Sequence, residues 1–164
     1  DFNDYKKHES GIYMRDALVT PTGMIHIVIR DAKTGRVKVD EFYKNMFVTA
    51  GKVSVAASFS DSNKGMITYC AVGTSVIAPA LADVKLTTEI ARKLISVRSS
   101  SSNVFTAQTF FTTSEANGTL REAGLFGDIA SSTPDSGTLF CKAAINRVKS
   151  SADTLTLSWA VTVG

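Results

Sequence analysis

MITYCAVGTSVIAPALADVKLTTEIAR, Met66 to Arg92, contains the change of character that decides the fold. From Met66 to Val72 almost every residue is β-branched, aromatic or small and apolar. That composition predicts a strand covered on both faces, and hence a central one. Gly73 ends the strand, because a residue without a Cβ adopts backbone angles closed to its neighbours. Pro79 then fixes its own φ and turns Ala78 away from helix, so the connection has a set path without being a regular element.

Upstream, Met24 to Arg30 places Ile25, Ile27 and Ile29 on one face and His26, Val28 and Arg30 on the other, which is strand periodicity. Asp31 to Gly35 is a tight connection, and Arg36 to Tyr43 alternates again, so the two segments read as a β-hairpin. Thr49 to Phe59 spaces Val53, Ala56 and Ala57 for one helical face, with Thr49 as the expected N-cap. Before all of these, Asp1 to Arg15 is polar apart from Phe2, Tyr5, Ile12 and Tyr13. It is too poor in apolar groups for a core and reads as an extended arm, 1–15, ahead of a single β-rich domain, 16–164.

Downstream, Ile90 to Val97 reads as extended, and Arg98 to Asn103, RSSSSN, as a flexible hairpin tip. Val104 to Thr113 carries phenylalanines on both faces, Phe105 and Phe111 opposing Phe110, which reads as one face for the core and the other for a partner, or as edge coverage within the same domain. Ser114 to Gly118 ends in Asn-Gly, a hairpin signal. Thr119 to Phe126, Leu139 to Val148 and Thr154 to Val163 complete the strands, the last with Leu155, Leu157, Trp159 and Val161 on its inner face. The expectation is a mainly β protein, an antiparallel β-sandwich or jelly-roll-like domain of seven or eight strands with one short helix near 49–59.

Composition limits the functional classes. At 164 residues the chain suits one domain able to bury roughly 68–70% of its unfolded surface. Hydrophobic residues at 44% and charged residues at 20% are ordinary for a globular protein. The net charge of +3 is dispersed along the chain, which argues against nucleic acid as a partner. No apolar run is long enough for a membrane-spanning helix, and DFNDYKKHES is unlike a signal peptide, so membrane insertion is not expected. Cys70 and Cys141 lie in apolar strands and read as small buried hydrophobes, with a bond between them left open.

The residues suited to chemistry are few. His8 and His26 are the two histidines, neither in a metal-ligand spacing, and no G-x-S-x-G or phosphate-binding loop occurs. No cofactor and no catalytic set is expected; an enzyme would be revealed by a buried His26 beside a carboxylate. Arg92, Arg121 and Glu122 interrupt apolar surroundings and read either as inter-strand ion pairs, for example with Glu89, or as contacts to a neighbouring subunit. With Phe2, Tyr5, Tyr13 and Phe110 they are the candidate contact residues. Tyr43 and Tyr69 are candidates for stacking on sugar rings in a carbohydrate-binding alternative.

AVGTSVIAPALADVKLTTEIARKLIS, TLREAGLFGD and GTLFCKAAI together resemble the N-terminal domain of the tail-collar fibre proteins of tailed bacteriophages. The likeness rests on Ala71 to Gly73, Pro79, Glu89, Arg92, Arg121 to Phe126 and Gly137 to Leu139, with Thr49-Ala50-Gly51 opening the helix, and runs from about Asn45 to Ile145. The hairpin from Met24 to Tyr43 precedes the part that is alike. The resemblance implies a virion protein assembled in the host cytoplasm, a tail fibre, collar or baseplate attachment module that forms a homotrimer and docks on other phage virion proteins. A capsid decoration protein, or a host-glycan binder, is the alternative.

Overall fold

A computed structural model describes residues 6–8, 11–13 and 21–163, the first two segments as backbone only. The strands are β1 (Lys6–His8), β2 (Gly11–Tyr13), β3 (Thr22–Asp31), β4 (Val37–Phe47), β5 (Ile67–Gly73), β6 (Glu89–Leu94), β7 (Val97–Ser101), β8 (Val104–Phe111), β9 (Gly118–Gly127), β10 (Thr138–Lys149) and β11 (Asp153–Thr162), and the helix is α1 (Thr49–Ala57). The protein is mainly β, as the alternation requires. β1 and β2 pair with each other alone, while the other nine strands form one sheet in the order β6-β5-β9-β10-β4-β3-β11-β8-β7, antiparallel throughout.

The sheet curls into a sandwich-like shell. β4 and β10 share only the pairs Phe47–Cys141 and Met46–Lys142, so one corner lies there. The opposite corner is made by the chain itself. Ile95 donates its N–H to Thr68 O on the β5 side, and the next amide, Ser96, donates to Gln108 O on the β8 side. Successive amides of a strand point to opposite sides, so the run from Glu89 to Ser101 is one bent strand with β5 on one flank and β8 on the other. A strand that changes partners at a bend is the usual way to turn a sandwich corner.

The inward face of the curl is a continuous core. Ile25, Ile27 and Ile29 of β3, Leu155, Leu157, Trp159 and Val161 of β11, and Ala107 and Phe111 of β8 meet Cys70, Val72, Leu120, Leu125, Phe140 and Ile145 from the other half. A smaller core of Val48, Ala71, Leu86, Phe126 and Leu139 lies on the outer side of β5, β9 and β10. Met66 to Val72 is therefore covered on both faces, but the strand is second from the sheet's end and not central. Its second cover is the 74–88 connection and the start of α1, which strand patterning cannot distinguish from a second sheet.

Three other local expectations change. α1 spans Thr49–Ala57, its N-cap is Val48 in extended conformation, and no side chain caps it. Burial holds the helix instead: a Cβ on Gly51 would stand 2.7 Å from Phe140 Cα, so this glycine lets α1 lie against β10. Gly73 has no positive φ; a Cβ there would meet Thr88 O and would stand 2.5 Å from Glu122 Oε1, so close approach is its reason. Arg98 to Ser101 is strand β7, paired with β8 from Val97–Gln108 to Ser101–Val104, and the tip is confined to Ser102 and Asn103.

Candidate functional site

The strands β4, β3, β11 and β8 turn their core-facing residues inward, so strand alternation leaves the intervening side chains on one open face, which β7, exposed at every position, extends at its edge. Their registers line these side chains up in rows. Phe42 lies opposite His26, His26 opposite Ser158, Ser158 opposite Gln108, and Gln108 opposite Val97. The next row reads Asp40, Val28, Thr156 and Phe110, and the row on the other side reads Lys44, Met24, Ala160 and Thr106.

The first row forms a trough of about 420 Å³. Phe42 is 64% exposed, and the His26 ring stacks on it with centroids 4.2 Å apart and planes 5° from parallel. His26 Nε2 and Asp40 Oδ1 are 2.6 Å apart. Beyond His26, the Gln108 amide donates to Ser158 Oγ at 3.1 Å, and Val97 closes the far side. An aromatic wall beside a hydroxyl and an amide suits a ligand with an apolar face and hydroxyl edges. The His26–Asp40 pair is a cross-strand contact on this open face, with the Asp40 side chain 61% exposed, and not the buried pair that an enzyme reading asked for.

No family model, curated protein or solved structure matches the chain. Functional assignment therefore rests on this geometry and on the residues that sequence reading singled out.

Those residues fall into separate places. Phe110 is exposed on β8, in the same open face. Phe2 and Tyr5 lie outside the described residues, and Tyr13 is described only as the backbone partner of Lys6. Arg92 is engaged within the chain. Its guanidinium donates to both oxygens of Glu89 at 2.7 and 2.8 Å, lies 4.2 Å from the centroid of the Phe126 ring, and donates to Ser136 O at 2.8 Å and Ser131 O at 3.2 Å. It thereby fixes the 131–136 loop, and the expected pairing of Glu89 with Arg92 is present.

Glu122 is also interior. Its carboxylate accepts the N–H groups of Thr87 and Thr88 at 2.9 and 2.6 Å and lies 3.3 Å from the Lys142 ammonium. Lys142 Nζ reaches Asp83 Oδ2 at 3.0 Å as well and donates to Thr87 Oγ1. This cluster ties the 74–88 connection to β9 and β10. Arg121 is half-buried on β9, where the register with β10 slips.

Of the two tyrosines considered for sugar stacking, Tyr43 packs partly into the core and donates its hydroxyl to Glu41 at 2.9 Å, and Tyr69 packs against the smaller core. The aromatic surface is offered by Phe42 and His26 instead. Period-two alternation already placed His26 outward; only the strand order could bring Ser158 and Gln108 beside it. Both cysteines are free and buried, and burial pushes the Cys70 thiol up to about 12. Among the described residues no group of three His, Cys, Asp or Glu is placed to hold a metal ion, and no helix is long and apolar enough to cross a membrane.

Proposed function

We propose that this protein is a non-catalytic structural component of a tailed-bacteriophage virion, a tail fibre, collar or baseplate attachment module that self-associates as a homotrimer and docks on other virion proteins. The observation that carries the reading is the amount of apolar side chain presented to the outside by rigid elements. Met24, Phe42, Val97 and Phe110 stand out from the five-stranded face, and Val76, Ile77, Leu81 and Val84 from the 74–88 connection. Contiguous exposed apolar surface on a well-packed scaffold marks contact with another protein. The connection is held at its middle, by Thr49 N–H to Leu81 O at 2.9 Å, and its two ends are joined by Thr74 N–H to Thr88 O at 3.0 Å, so its apolar groups are pre-positioned for a partner. The resemblance in Ala71 to Arg92 supplies the phage context. A capsid position on the same particle fits the same surface.

Light scattering at micromolar concentration tests this. The intact chain is expected to give three times the monomer mass, and Phe110→Lys or removal of residues 1–13 to lower it while the melting temperature stays within about 2 °C. A monomeric intact chain overturns self-association. Loss of monomer stability on the truncation shows that the arm belongs to the core.

The trough favours a second reading, host-glycan binding, because Phe42 and His26 offer ring faces beside Ser158 and Gln108. A glycan array is expected to show retention of the protein, and Phe42→Ala to weaken it about tenfold, equivalent to about 1.4 kcal/mol. Equal retention of protein and variant removes the trough from consideration.

A further inference from the structure

Lys149 ends β10 with its side chain buried, 1% exposed, yet the groups around it are not those of an ordinary ion pair. Its Nζ lies 2.8 Å from Asn117 Oδ1 and 3.4 Å from Ser150 O. Asn117 sits in the β8–β9 turn, next to Gly118, the residue that pairs with Lys149 across the β9–β10 ladder. The other end of its carboxamide is fixed too, because Asn117 Nδ2 donates to Thr113 O at 2.8 Å. The carboxamide is thus held against an amine on a strand it would otherwise reach only by chance.

Two carboxylates act on the same ammonium, Asp153 at the start of β11 and Glu115 in the Asn117 turn. Each is held in place by other groups. Glu115 accepts from Lys93 Nζ at 2.6 Å and from Thr112 N at 2.7 Å, and Asp153 from Ser150 Oγ at 2.6 Å and Lys38 Nζ at 2.5 Å. Burial nevertheless lowers the Lys149 pKa, against the pull of both acids, and so raises the share of neutral amine.

We propose that Lys149 and Asn117 join in an intramolecular isopeptide bond once the chain has folded. Lys149 Nζ, as the neutral amine, attacks Asn117 Cγ; the Nζ–Cγ bond forms, the Cγ–Nδ2 bond breaks, and the departing nitrogen leaves as ammonia. One Nζ proton ends on that nitrogen, so the departing NH2 and the proton given up by the amine together make up the ammonia. The step needs no oxidant and no cofactor. A turn of the Asn117 carboxamide, from accepting a hydrogen bond in its plane to presenting its face, is the rearrangement required. The product is a covalent tie between the β8–β9 turn and the end of β10, at the rim of the curled sheet. This inference is independent of the virion reading.

The test is the intact mass of the purified full chain. A mass one ammonia lower than the sequence requires is expected, together with a branched peptide on proteolysis that contains both Asn117 and Lys149. Lys149→Arg and Asn117→Ala are each expected to restore the full sequence mass, and the denatured chain to remain unlinked until it is refolded. The full sequence mass in the folded wild-type protein overturns the proposal whether or not the variants fold. So does an ammonia loss carried on a linear peptide, the product of Gly118 N attacking Asn117, and so does an ammonia loss that persists in Lys149→Arg.

Discussion

Glu122→Ala is expected to destabilise the protein by about 3–5 kcal/mol, the range for removing one partner from a buried ion pair. The effect has two sources. Lys142, 1% exposed, would keep Asp83 as its remaining acid and face the cavity that the carboxylate filled. The N–H groups of Thr87 and Thr88 would lose their acceptor, each at a cost of about 1–3 kcal/mol if it stays buried. Because those amides belong to the 74–88 connection, its Val76, Ile77, Leu81 and Val84 would lose their fixed presentation along with the stability. Urea unfolding with unchanged m-value checks the first part. A Glu122→Met, Lys142→Met double variant is expected to recover only the part of the loss that comes from the stranded Lys142 charge, since the Thr87 and Thr88 amides stay without their acceptor. Near-wild-type stability of Glu122→Ala would mean that the cluster contributes nothing.

Trp159→Ala is expected to cost about 3–5 kcal/mol, as large-to-small changes of buried aromatics do. Trp159 is 1% exposed and the largest of the fully buried side chains. It lies on β11 between Ile25 of β3 and Ala107 of β8, so its ring fills the space under the middle of the five-stranded half. Trp159 is also among the residues that line the Phe42–His26 trough. The variant should therefore lose self-association or glycan retention as well as stability, whereas Phe42→Ala leaves stability nearly intact. Trp159 Nε1 has no hydrogen-bond partner among the described residues, so Trp159→Phe is expected to be far milder. Chemical denaturation of the three proteins separates ring volume from polar satisfaction, and equal losses in Trp159→Ala and Trp159→Phe would refute the volume argument.

The parts of the fold that were legible are those where side-chain alternation reports burial directly. β3 and β11 have one wet face and one dry face, and their inward residues match the core residue for residue. Met66 to Val72 announced two dry faces, but what covers the second is a loop and a helix start, which sequence periodicity does not describe. β7 was missed because Val97 to Ser101 is exposed at every position, and only backbone pairing to β8 makes it a strand. The candidate site divides in the same way. His26 and Phe110 were seen to face outward, yet Phe42, Ser158 and Gln108 become neighbours of His26 only through the order β4-β3-β11-β8. The buried lysines Lys142 and Lys149 interrupt the run LFCKAAINRVK, which was the available signal, but their acidic and amide partners come from other strands.

The bent strand from Glu89 to Ser101 bears on how copies of this protein can assemble. It supplies both ends of the nine-stranded order, so the terminal edges of that sheet are the outer flanks of β6 and β7, both short runs. Short, divided edges of this kind are poor templates for growth into a fibril. Growth from those two edges is thus disfavoured, and contacts between copies made by side chains on the sheet faces are adjustable by surface substitution without rewiring a single ladder.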